Sequence, residues 1–247
     1  MNKTIVASFL LLLSSYIQAH HIPHNNCSWS KPDGELSIGI IGDSLISYPR
    51  CSEYSGCPYE KNTALSHFLS EKLNTVAICD KSNGGEGYQK ILKQKLPYQP
   101  DILILGGSLM DFINCPSRDK EKAKKAKQCT QNYLDIWISE DAKSGVYVDL
   151  INEYASEDTQ VIIMYSSIVS PLTKRRKWKT VERLILSDLE RRLIKLADTS
   201  ENITWFDVSK SGVDLYDRSN YDPIVAIHPS YKVYEVFAER IKEIVTK

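Results

Sequence analysis

The sequence predicts an α/β protein built as three layers, with helices on both faces of a five-stranded parallel sheet. Three observations carry this. Five short runs rich in Ile, Val and Leu recur along the chain, at 36–41, 75–79, 102–105, 160–165 and 203–206. Segments of helical period separate them, and strands alternating with helices argue a parallel sheet covered on both sides. The length, 247 residues with 42% hydrophobic content, is one domain's worth and enough for a full core, and no internal repeat divides it.

Each element follows from its local pattern. Leu36–Ile41 is the first strand, an apolar run that ends at a Gly turn. Asn62 is placed to cap a helix through Leu73, with Leu65, Phe68, Leu69 and Leu73 on one face. Thr75–Cys79 reads as the second strand, and Tyr88–Leu96 as a helix stopped by Pro97. Ile102–Leu105 is the third strand. The charge run Asp119–Lys127 is a solvated helical or loop face. Asn132–Tyr154 reads as helix interrupted near Gly145, Gln160–Tyr165 as the fourth strand, and Arg176–Ala197 as a long amphipathic helix. Ile203–Phe206 is the fifth strand. Pro229, which lacks the N–H that a first helical turn leaves unpaired, opens a last helix reaching Val245.

The first residues read as an address rather than as structure. Lys3 supplies a basic start, Ile5 to Ile17 an apolar stretch too short to span a bilayer comfortably, and Ala19 a cut site. Residues 1–19 are therefore expected to be a removed secretory signal, with no stable membrane anchor. Residues 20–34 form a polar arm and 35–247 the folded domain. A cut after Ala19 leaves 30 basic residues against 31 acidic. That balance gives no reason to expect nucleic acid as a partner. A secreted or periplasmic monomer is the expectation.

Six cysteines follow the signal: Cys27, Cys51, Cys57, Cys79, Cys115 and Cys129. An even count after a signal implies an oxidising compartment and disulfides. Spacing does not choose the connectivity. Cys51 with Cys57 and Cys115 with Cys129 bracket short segments, and pairing both locally leaves Cys27 for Cys79. No Cys-x-x-Cys occurs, so a zinc site is not expected, and neither is any other cofactor. Asn26 and Asn202 begin glycosylation sequons, meaningful only in a eukaryotic secretory route.

Two ends of the chain carry the chemistry. Gly42-Asp43-Ser44-Leu45 closes the first strand and presents Ser44 where the chain turns, a placement suited to nucleophilic attack. Asp43 reads as support for that turn. Near the far end, Ile227-His228-Pro229-Ser230 opens the last helix and offers His228 as a base. His67, within the helix after Asn62, reads as structural. The basic run Lys174–Lys179 reads as a solvated face.

With these motifs the chain resembles the SGNH hydrolase superfamily, the GDSL esterases and lipases. The resemblance runs through nearly the whole domain in block order. It implies a flavodoxin-like sheet with the site at the carboxyl ends of its strands. It also implies a serine esterase in which Ser44 attacks a carboxylic ester and His228 takes the proton. Asn83-Gly84-Gly85-Glu86-Gly87 is similar to the family's second block, which implies Gly87, with Gly85 second, as a backbone donor to the oxyanion. Gly106-Gly107-Ser108-Leu109 is similar to the third block but carries Ser108 where the family has Asn. Gly107 and Ser108 thereby join the expected oxyanion and substrate-binding set. The family's Asp three residues before the His is Val225 here, and the nearest upstream carboxylate is Asp222. Either Asp222 or a backbone carbonyl orients His228. The implied substrate is a small-molecule ester, a lipid or an O-acylated glycan. The competing reading is a catalytically weakened or inactive member that binds a glycan or lipid.

Overall fold

The computed structural model describes residues 27, 31, 33–47, 64–75, 77–83, 87–107, 111–112, 115, 120–166, 183–214, 217–220 and 229–247. Five strands form one sheet: β1 (Ile38–Ile41), β2 (Ile78–Asp80), β3 (Ile102–Gly106), β4 (Gln160–Tyr165) and β5 (Ile203–Asp207). All pairings are parallel and the order is β2-β1-β3-β4-β5. This is the flavodoxin-like order, whose strand direction of travel reverses between β1 and β3. The expected fold class is therefore the observed one.

The layers follow from the pleat, which sends alternate side chains to opposite faces. Ile38, Ile40, Ile102, Ile104, Ile162 and Met164 point to one face. There they meet Leu65, Phe68 and Leu69 of helix α2 (Ala64–Leu73) and Tyr234, Phe237 and Ile241 of helix α7 (Tyr231–Val245). Helix α1 is the short Ser44–Ser47. Ile41, Leu103, Leu105, Val161 and Ile163 point to the other face. Against them pack α3 (Tyr88–Ile91), α4 (Lys120–Trp137), α5 (Val146–Tyr154) and α6 (Glu190–Ala197).

Three elements differ from their sequence reading. The helix begun at Tyr88 ends at Ile91 rather than at Leu96, because the chain tightens there: Lys93 and Gln94 N–H donate to the carbonyls three residues back. That turn sends the Gln94 side chain inward. The segment 132–154, read as helix interrupted near Gly145, is two helices with the break where expected, and what differs is the start. The first begins at Lys120 and absorbs the charge run, since Ala126, Thr130, Leu134 and Trp137 make one buried stripe under exposed lysines. The break falls before Gly145, whose φ of +114° and close approach to the Ile138 backbone leave no room for a side chain. Within the long helix before β5, Ile185–Leu189 winds as a π turn into α6. That winding keeps Ile185, Leu189, Leu193 and Leu196 all buried.

Cys27 is bonded to Cys79 and Cys115 to Cys129, two of the pairs in the local-pairing arrangement that the sequence left open. Cys51 and Cys57 lie outside the described residues. So do residues 1–19, Asn26, Asn62 and Lys174–Lys179. No helix among the described residues is long and apolar enough to cross a membrane. His67 is structural, paired with Glu71 one turn on at 3.3 Å.

Candidate active site

The site is built outward from the carboxyl end of β1, at the point where the sheet order reverses and ligands of such sheets sit. Gly42 follows β1 and its peptide is held on both sides. Gly42 N–H donates to Gln94 Oε1 at 2.8 Å, and Gln94 Nε2 donates to Gly42 O at 2.9 Å. Asn83 N–H donates to the same carbonyl at 3.0 Å, which ties the segment after β2 to the segment after β1.

Asp43 is fully buried, and its Oδ1 accepts the Leu45 N–H at 2.9 Å. That is the bond of a helix cap, so Ser44 becomes the first residue of α1. The reading of Asp43 as turn support matches this geometry. Tyr234 of α7 donates its hydroxyl to Leu45 O at 3.1 Å. The helix that follows His228 is thus fastened one residue beyond Ser44; its N-cap is Ser230, so the buried Pro229 precedes the helix rather than opening its first turn as the sequence predicts. The Ser44 side chain, Ser108, Asp222, His228 and Gly85 lie outside what is described.

On the other side of the crevice Gly87 precedes α3 in an extended conformation. A carboxylate explains why this residue is glycine: a Cβ here would come within 2.6 Å of Asp111 Oδ1. Asp111 Oδ2 accepts the Tyr88 N–H at 3.1 Å and the Trp137 indole N–H at 2.8 Å. Burial raises the Asp111 carboxyl above its ordinary range, and the bonds from Trp137 and Tyr88 oppose that rise. Gly107, after β3, is also forced to be glycine, since a side chain there would run into the Trp137 ring. Trp137 thereby positions both the Gly87 and the Gly107 segments.

At the end of β2, Asp80 is buried and its carboxyl is pushed up to about 6 by desolvation. Ser66, and Ser82 through its N–H at 2.9 Å and hydroxyl at 2.5 Å, donate to it and hold the rise in check. Between α3 and α4 lies an open cavity of about 570 Å³, walled by Gly87, Tyr88, Asp111, Asn132 and Tyr133. Among the described residues no group of three or more His, Cys, Asp or Glu is arranged to hold a metal ion.

Sequence reasoning placed Ser44 directly after β1, where α1 begins, and Gly87 directly before α3. It missed Gln94, Asp111, Trp137 and Tyr234. Asp111 left one signal, a lone carboxylate inside the apolar run Leu109–Ile113.

No model of a known protein family matches the chain, and no curated protein sequence does. Solved structures do. The fold is similar to that of a catalytic mutant of an acetylxylan esterase from Geobacillus stearothermophilus, at 14% identity and a TM-score of 0.53, covering 88% of this chain and 97% of that one. It is similar to the lipase/acylhydrolase from Enterococcus faecalis, at 14% identity and a TM-score of 0.51, covering 85% and 94%. A member of the lipolytic G-D-S-L family from Veillonella parvula matches at 13% identity and a TM-score of 0.50, covering 85% and 98%. At this identity the likeness is one of fold, shared over 85–88% of this chain.

Proposed function

We propose that this protein, on its SGNH hydrolase fold, is a serine esterase that cleaves a carboxylic ester through an acyl-enzyme on Ser44. The observation that carries the reading is the capped turn after β1. Asp43 and the bracketed Gly42 peptide present Ser44 at the reversal point of the sheet, on the side where such folds bind ligands.

In this reading Ser44 Oγ attacks the ester carbonyl while His228 takes its proton. The oxyanion faces the Ser44 and Gly87 N–H groups, with the Ser108 hydroxyl as a third donor. Collapse of the intermediate expels the alcohol, which receives its proton from His228. Water, activated by the same His228, then releases the acid and restores Ser44. Asp222 or a backbone carbonyl holds the imidazole. Two disulfides and the leader-like residues 1–19 support export and an extracytoplasmic working form.

A second reading, a fold member that binds without turning over, draws on Ser108 and Val225 standing where the family has Asn and Asp. A fluorophosphonate probe separates the two. The esterase is labelled on Ser44, loses the label in Ser44→Ala, and loses most of it in His228→Ala. A folded wild-type protein with no label and no turnover of acetyl to long-chain esters would end the esterase reading.

A further inference from the structure

A second groove, of about 500 Å³, opens between the chain leaving β2 and the chain around α3. Lys81, Asn83, Lys90, Lys93, Gln94 and Lys95 line it. Every lining residue is a lysine or a side-chain amide, so the apolar surface inside comes from methylene stems and the polar ends are mostly ammonium groups. This charge is local, because the whole chain carries 31 basic and 31 acidic residues.

The lysines are largely unneutralised. Lys95 is paired with Glu153 at 2.5 Å. The ammonium groups of Lys81, Lys90 and Lys93 have no acidic partner among the described residues. Asp80, next to Lys81 in the chain, is buried and accepts from Ser66 and Ser82 instead. Glu86, outside the described residues, is the one carboxylate in the sequence between Lys81 and Lys95. With Glu86 and Glu153 both counted, positive charge remains in excess. Ammonium groups gathered at one groove repel each other, and an anion among them relieves that repulsion.

Residue type narrows the anion. No arginine lines the groove, and it is the arginine fork that matches a planar carboxylate. Lysines act as point charges that approach a compact anion from several directions, and a phosphate brings more than one negative charge for them to share. The groove is also joined to the candidate active site. Gln94 clamps both sides of the Gly42 peptide, and the Asn83 N–H donates to the Gly42 carbonyl. An anion in the groove therefore lies against the two residues that hold the peptide before Asp43 and Ser44.

We infer that this groove is an anion subsite in which Lys81, Lys90 and Lys93 hold a phosphate group carried by the ligand of the adjoining crevice. The inference rests on the esterase reading for the place of the scissile bond. The lysines hold the phosphate alike in ground and transition states, so they act on KM rather than on kcat.

The test begins with binding alone. Inorganic tripolyphosphate is titrated into the full chain by calorimetry at low ionic strength. It binds at millimolar concentration or below, and added salt weakens it. The double variant Lys90→Gln, Lys93→Gln binds it about tenfold more weakly. The double variant Lys124→Gln, Lys125→Gln, at exposed positions of α4 outside the groove, binds it as the wild type does. Circular dichroism checks both folds. Turnover then compares acetylglycerol phosphate with monoacetylglycerol, which differ by the phosphate. The wild type has the lower KM for the phosphate ester, and the Lys90, Lys93 variant loses that preference while hydrolysing the neutral ester as before. Phosphatidylglycerol vesicles that displace tripolyphosphate give the phosphate a lipid source, and vesicles that leave it bound give it a soluble one. Failure of the folded wild type to bind tripolyphosphate, an equal loss in both double variants, or equal KM for the two esters would overturn the subsite. Tripolyphosphate binding by a protein that the fluorophosphonate fails to label refutes the esterase and leaves the anion subsite standing. Labelling without tripolyphosphate binding does the reverse.

Discussion

Gln94 grips the Gly42 peptide with both ends of its side-chain amide, accepting from its N–H at 2.8 Å and donating to its carbonyl at 2.9 Å. The two residues are 52 positions apart, and the bonds are buried. The Gly42 peptide immediately precedes the Asp43 cap, so this clamp sets the height of Ser44 above the sheet.

Replacing Gln94 with Leu should leave the Gly42 N–H buried without that partner. The expected cost is about 1–3 kcal/mol of stability. Turnover should fall further than stability explains, because the nucleophile's turn loses its anchor. Urea melts and ester hydrolysis on the same variant check both, and a variant with wild-type kcat would remove Gln94 from the positioning of Ser44.

Gly87→Ala should act through Asp111 rather than through backbone strain, since the Gly87 φ of −87° is open to any residue. The new methyl pushes on Asp111 Oδ1 and shifts the Tyr88 peptide with it. An oxyanion donor moved in this way lowers kcat by about tenfold to a hundredfold while KM for a small ester changes little. Steady-state kinetics on p-nitrophenyl acetate read the split.

Ser108→Asn should lengthen the third oxyanion donor and raise kcat, because the gain exists mainly in the transition state. Asp222→Asn lowers kcat strongly only where Asp222 orients His228, and a backbone carbonyl in that role makes the change nearly silent. The pair of rate measurements decides which group holds the imidazole.

Asp80 makes stability depend on pH in a stated direction. Its folded pKa, about 6, lies above the unfolded value near 3.8, so the native state holds the extra proton between them. The contribution is fully present below that window and falls as pH rises through it, by about 3 kcal/mol over the whole interval. Denaturation of wild type and Asp80→Asn from pH 4 to 7 should show a downward slope in the difference that levels off above the folded pKa. A difference independent of pH would contradict the buried carboxyl.

The two described disulfides close loops of unequal length, with sequence separations of 52 for Cys27–Cys79 and 14 for Cys115–Cys129. On the chain-entropy account, opening the first costs about 4 kcal/mol and the second about 3 kcal/mol. Paired Cys→Ser variants compared by denaturant melts test the order. Thiol titration of the denatured, unreduced protein should find these four cysteines unreactive.

What the sequence by itself determined was local. Continuous apolar runs mark β4 to the residue and place the ends of β1 and β3 within a residue or two, and helical period does the same for α7. Those patterns are local because a strand covered on both faces is apolar throughout, and the apolar face of a helix repeats about every 3.6 residues. The Gly42–Leu45 turn and the supporting place of Asp43 in it were legible for the same reason, since a turn is solved by its own residues; that Asp43 caps α1 is read from the structure. The tertiary structure decided the rest. Gln94 reaches Gly42, Asp111 gathers Tyr88 and Trp137, and Tyr234 holds Leu45 across 189 positions. None of these pairs shares a helix or a strand. They meet only because the order β2-β1-β3-β4-β5 brings the ends of β1 and β3 side by side, and strand order leaves no period in the chain.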